Sequence, residues 1–177
     1  MFKTIVVATD GSDHADKAVA VAGDLAAKYD ATVTLLHVHL RRNAAAADLR
    51  RLIDVKQLPD GPREEFERFE SMGATSRGLA DGGLVVSIPL PESVLLAVGD
   101  ALIDKAVGIA KGHGATKIDR VITQGDPADV ILNCARDRNA DLIVMGTRGL
   151  SDLKGLFVGS VSHKVSHLAD CTCISVR

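Results

Sequence analysis

The 177-residue chain has no tryptophan, one tyrosine and four phenylalanines. A row of base-stacking aromatics is therefore excluded, and nucleic acid is not an expected partner. Charge of neither sign dominates: 21 Lys and Arg stand against 23 Asp and Glu, a net of −2. No apolar run approaches the roughly 18 residues that a membrane span needs. The opening "MFKTIVVATDGSD" meets an Asp too early for the apolar stretch of a signal peptide. A cytoplasmic protein that does not engage membranes is the expectation. Cysteine is scarce as well. Cys134, Cys171 and Cys173 are odd in number and include no C-x-x-C pair. With no further ligands near them in sequence, packed and reduced thiols are expected rather than a metal site.

What remains is an ordinary globular composition, 46% hydrophobic and one quarter charged, on a length that suits one domain with a sizeable core. "KTIVVAT" (3–9), "TVTLLHV" (32–38), "KIDRVITQG" (117–125), "DLIVMG" (141–146) and "CTCISVR" (171–177) read as strands. Between them lie helical patterns. "HADKAVAVAGDLAAKYD" (14–30) follows a turn in which Ser12 or Asp13 can act as the cap. "PESVLLAVGDALIDKAVGIAKGHG" (91–114) lines up Leu95, Val98, Leu102, Ala106 and Ile109, and ends at Gly112 or Gly114. "DPADVILNCARDRN" (126–139) has Pro127 in its first turn, where a missing N–H costs nothing. A last helix begins at Gly159 or Ser160. Strands alternate with helices, and the clearest strands are continuous apolar runs. Both features predict an α/β fold with a parallel sheet covered on both faces, doubly wound in three layers. The terminal strand is a candidate edge, able to pair with another chain.

Residues 39–92 break this rhythm with mixed charge, glycines and four of the five prolines. The stretch exceeds a usual βα connection. It reads as an insertion within a single domain spanning 1–177, with short helices near "AAAADLRRLIDV" and "REEFERFES".

In doubly wound sheets, ligands bind beyond the carboxyl ends of the strands, where neighbouring crossovers part. Asp10, Val38 and a glycine-rich segment all fall there. In "GTRGLSDLKGLFVGSVSHKV", Gly146, Gly149, Gly159 and Ser160 follow the spacing G-x2-G-x9-G-S. Unpaired amides at a helix start, together with its partial positive charge, suit phosphate. Glycines let the main chain approach phosphate oxygens closely. An ordinary glycine-rich loop fits the spacing too, and Asp10 before a glycine is also a common turn residue.

Along nearly its whole length, 39–92 excepted, the chain resembles the universal stress protein family. The resemblance rests on "IVVATDGSDHADKAVAVAGDLA", "VTLLHV", "GDPADVIL" and "ADLIVMGTRGLSDLKGLFVGSVSHKVSHLADC". The glycine spacing is the mark of that family's ATP-binding branch. The resemblance implies a five-stranded parallel sheet of the adenine nucleotide alpha hydrolase-like type. It implies that Asp10 lies by the ribose or a metal-bound water, and that Ala8 lines the pocket. It implies that the main chain of Val38 reads the adenine edge, and that Met145 and Gly146 flank ribose and base. Gly149, Gly159, Ser160 and Val161 would contact phosphates. ATP with Mg²⁺ and a homodimer formed through strand 172–177 are implied in turn. The chain departs from the pattern in its long insertion and in lacking a Cys-Pro before the last strand.

Other candidates carry less. His37 and His39 share a strand face, and His163 and His167 stand four residues apart on a helix. Packing or capping is expected of both pairs rather than metal ligation, because Lys164 stands where a zinc-protease helix has Glu. Arg148 and Lys154 are cations that could reach a phosphate, or simply solvated ones. The expected function is an ATP-binding regulatory stress-response protein with at most slow hydrolysis. The alternative is a dimeric interaction module whose pocket is covered by its own insertion.

Overall fold

The five apolar runs become β1 (Thr4–Ala8), β2 (Thr32–Val38), β3 (Lys117–Thr123), β4 (Leu142–Gly146) and β5 (Thr172–Val176). The helices are α1 (Asp13–Tyr29), α2 (Asp60–Arg77), α3 (Glu92–Gly112), α4 (Pro127–Asp137) and α5 (Ser160–Leu168). These come from a computed structural model that describes residues 1–39, 58–77, 90–149 and 159–177. The expected helix near 44–55 and Lys154 lie outside the described residues.

All strand pairs are parallel, in the order β3-β2-β1-β4-β5. The chain divides into two compact units, Met1–Val38 with Leu102–Arg177, and His39–Ala101.

In the first unit the period-2 pleat sorts the side chains of the central strands onto two faces. Ile5, Val7, Val33, Leu35, Leu142 and Val144 share one core with Ala18, Val19, Ala22 and Ala26 of α1 and Ile103, Ala106 and Ala110 of α3. Val6, Leu36, Ile143 and Met145 share the other with Ala128, Ile131 and Leu132 of α4 and Val165 of α5. Burial on both sides is why β1, β2 and β4 are apolar without alternation. Small residues let α1 and α3 lie close: a Cβ added at Gly23 would stand 2.9 Å from the Ala110 carbonyl oxygen.

Helix starts follow local chemistry. The Ser12 hydroxyl accepts from the amide of Ala15 at 3.3 Å, capping α1. Asp126 accepts from the amide of Asp129 at 3.2 Å, with Pro127 opening α4. Both are as the sequence predicts.

In the second unit, α2 extends well beyond the expected "REEFERFES". Pro62 falls in its first turn, where proline is tolerated. Phe66 is fully buried, and Glu65 accepts a hydrogen bond from Ser93 in the first turn of α3.

Asp141, one residue before β4, joins the sheet's lower end. Its carboxylate accepts from the amides of Lys3 at 2.7 Å and Thr4 at 3.0 Å. These bonds, helped by the N-terminal ammonium, hold its pKa below the ordinary 3.8. A depressed folded pKa stabilises the fold above the unfolded value, and that contribution is lost as pH falls through the folded one. Asp141→Asn should therefore flatten the acid limb of a stability-versus-pH curve below about pH 4. Urea titrations at stepped pH measure it, and an unchanged acid limb would count against this role.

Candidate functional site

The strand order reverses between β1 and β4, so the connections leaving their carboxyl ends part and open a crevice. The residues bordering it come from four segments. Ala8 ends β1, in register with Leu36 on one side and Met145 on the other. Val38 ends β2 opposite Thr123. Met145 and Gly146 end β4, and Gly159 to Val161 begin α5.

Two contacts draw these segments together. A Cβ added at Gly149 would overlap the Asp10 carboxylate, so the chain after β4 lies directly against the chain after β1. The Gly159 amide donates to the Thr147 carbonyl at 2.7 Å, which pins the start of α5 to the same place. Asp10, Gly146, Gly149, Gly159, Ser160 and Val161 thus lie around one end of β1 and β4. Segment 150–158 lies outside the described residues.

The glycines have a second reason to be glycine. The missing Cβ of Gly146 leaves room for the backbone of His14, which that atom would approach to 3.0 Å. At Gly159 a Cβ would stand 3.3 Å from the Thr147 carbonyl oxygen. Bare backbone here meets the protein itself before any ligand. Asp10 likewise has a local role, since its Oδ1 accepts from the amide of Ser12 at 3.1 Å in an Asx turn. Gly11, at φ +81°, completes that turn in a conformation that L side chains rarely adopt.

Sequence reasoning missed the residue that organises the site. Thr147 is buried, and its amide and hydroxyl both donate to the Val176 carbonyl, at 2.8 and 3.1 Å. Its own carbonyl accepts from the Gly159 amide and from the buried Ser162 hydroxyl at 2.9 Å. The Thr147 hydroxyl also lies 3.5 Å from His14 Nδ1. These partners are 12 to 133 positions away, and no local pattern announces them.

The start of α5 differs electrostatically from those of α1 and α4. Gly159 is its N-cap, and among the described residues no side-chain oxygen caps it. The amides of Ser160, Val161 and Ser162 precede the first intrahelical donor, so they point out of the helix with its positive dipole end. Ser160 is exposed and adds a hydroxyl.

The remaining candidates separate. His37 is buried, its Nδ1 2.9 Å from the Thr9 carbonyl, a packing role as expected. His39 falls in the other compact unit, where burial pushes its pKa down against the raising effect of Asp100 and Glu92. Cys134 is buried, and burial pushes the half-buried thiols of Cys171 and Cys173 up, away from reactive thiolate.

The profile of the universal stress protein family matches residues 1–177. The chain belongs to the universal stress protein family. A Thermus aquaticus relative, "Universal stress protein in QAH/OAS sulfhydrylase 3'region", is 35% identical over the whole of both chains. Among solved structures, a universal stress protein in complex with cAMP superposes with a TM-score of 0.61 at 24% identity, covering 99% of this chain and 97% of that one. The Archaeoglobus fulgidus universal stress protein in complex with dAMP gives 0.59 at 19% identity, covering 100% and 98%. The five-stranded parallel sheet between helical layers is therefore the fold of its family.

Thr147→Val keeps the shape of the side chain and removes the hydroxyl. The Val176 carbonyl keeps its bond from the Thr147 amide, so the loss should be about 1 kcal/mol. Urea unfolding measures it, and an unchanged midpoint would show that the hydroxyl adds nothing to the junction.

Proposed function

We propose that the crevice above β1 and β4 binds an adenine nucleotide, ATP with Mg²⁺, and that occupancy regulates a stress-response protein. The observation that carries this reading is the start of α5. It is a helix N-terminus with no side-chain cap among the described residues, tied by the Gly159–Thr147 hydrogen bond to the switch point of the sheet. Such an end suits phosphate oxygens.

The residues fit the group in detail, with one adjustment. The amide of Gly159 is engaged by Thr147, so the donors for phosphate are the amides of Ser160 and Val161 and the Ser160 hydroxyl. The backbone of Gly149 flanks them, and Asp10 lies beside it for the ribose or a metal-bound water. Ala8 and Met145, paired in register, form the apolar floor under the nucleoside, with Gly146 at its side. The main chain of Val38, at the free end of β2, reads the adenine edge. Mg²⁺ would be held mainly by the phosphates and would neutralise their charge. Relatives of this fold in complex with cAMP and dAMP support an adenine ligand. The reading includes at most slow hydrolysis and treats 39–92 as an insertion within one domain.

Titration calorimetry with ATP should show saturable binding. Gly159→Val should weaken it about tenfold or more, about 1.4 kcal/mol, with circular dichroism confirming the fold. No heat from the parent protein, or equal affinity in the variant, would overturn the reading.

We also propose that the protein is a cytoplasmic homodimer paired through β5. The two sheet edges differ. β3 exposes Lys117, Asp119 and Arg120, which pair with Asp30 at 2.7 Å, Arg138 at 3.5 Å and Asp104 at 2.6 Å. Charged side chains of this kind discourage edge-to-edge pairing. The β5 sequence TCISV carries no charge. Ser175 is exposed on it, so Ser175→Lys should convert the dimer to monomer in size-exclusion light scattering without loss of fold. A monomeric parent, or a variant that stays dimeric, would reject pairing at this edge.

A further inference from the structure

His163 and His167 are expected to pack or cap, and the structure shows them doing neither within the core. Both side chains are exposed on α5, while the buried face of that helix is formed by Ser162 and Val165. Their rings lie nearly parallel, with centroids 6.5 Å apart and 13° between planes. Among the described residues, neither ring makes a hydrogen bond or an ion pair. Positions four apart on a helix stand one turn above the other, so rotation of the two exposed side chains can bring a nitrogen of each ring to one point.

We propose that His163 and His167 chelate a borderline divalent cation of the Zn²⁺ class. Neutral imidazole suits zinc, copper and nickel, whereas magnesium and calcium require oxygen ligands. One observation favours a cation at this spot. The one cation between the pair, Lys164, is drawn to the α4 side by Asp129 at 2.8 Å and Asp126 at 3.3 Å. Its charge is compensated and directed away from the two rings. The Lys164 that breaks the zinc-protease pattern removes a catalytic glutamate and leaves the two-imidazole chelate intact. With two protein donors, water completes the coordination shell, and the site is a binding site rather than a catalytic one.

The second imidazole binds intramolecularly once the first is engaged, so removal of either should cost about tenfold or more in affinity. The test uses the untagged full-length chain without nucleotide and Zn²⁺ alone as the probe. Calorimetry and thermal unfolding are compared for the parent, H163A, H167A, the double variant and H113A. His113 is the control because it is also exposed, 3.0 Å from Asp24 on a different helix pair. Because the spacing exists only in the folded helix, Zn²⁺ should raise the parent's unfolding temperature. H113A should keep that rise, each α5 single variant should lose most of it, and Mg²⁺ should produce none. Absence of Zn²⁺ binding to the parent, equal binding by the double variant, or loss in only one single variant would each overturn the proposal. All the substituted side chains are exposed, so unfolding of a variant does not obscure the result.

Discussion

Thr147 is the junction on which the upper end of the sheet depends. It is the first residue after β4, and a parallel strand must there hand the chain to a distant helix while its neighbour β5 ends alongside. Its amide and hydroxyl hold the Val176 carbonyl, and its carbonyl takes the Gly159 amide and the Ser162 hydroxyl. Three elements that are separate in sequence thus share one buried residue. Left unpaired, each of these buried groups would carry a desolvation penalty of about 1–3 kcal/mol. The network is satisfied only when β4, β5 and α5 meet in this arrangement.

The fold was legible because local and global preferences agree. Continuous apolar runs mark strands buried on both faces, and the structure places β1, β2 and β4 at the centre of the sheet. Ser12 and Asp126 were readable as helix starts, because an N-cap is chosen by chemistry confined to a few residues. The extent of α2 was less readable. Gly61 and Pro62 look like breakers, yet a proline in the first turn forfeits no intrahelical bond. Thr147, Ser162 and His14 were not readable at all. Their roles arise from carbonyls and amides brought near by tertiary structure, and a backbone partner leaves no mark in the sequence.

The candidate site shows the same division. Of the glycines in the spacing, Gly149 lies against Asp10, Gly146 against His14 and Gly159 against Thr147. The physical reason is broader than contact with a ligand. Gly146 admits the first turn of α1, Gly149 admits the Asp10 carboxylate, and Gly159 admits the Thr147 carbonyl. The signature constrains the protein's own close approaches.

This has a consequence for how binding and assembly relate. The uncapped amides of α5 belong to a helix whose position is set by the Thr147 carbonyl, and the end of β5 is held by the Thr147 amide and hydroxyl. The start of α5 and the end of β5 are thus held by the two peptide units that flank the Thr147 Cα. A packed core transmits displacements of a few tenths of an ångström because it has few voids to absorb them. Any shift of α5 toward an anion is therefore felt at the last residues of β5 without an intervening loop. The junction offers a short route between the crevice and an uncharged sheet edge. That route follows from the reversal of strand order, which places the crevice only one strand away from the edge.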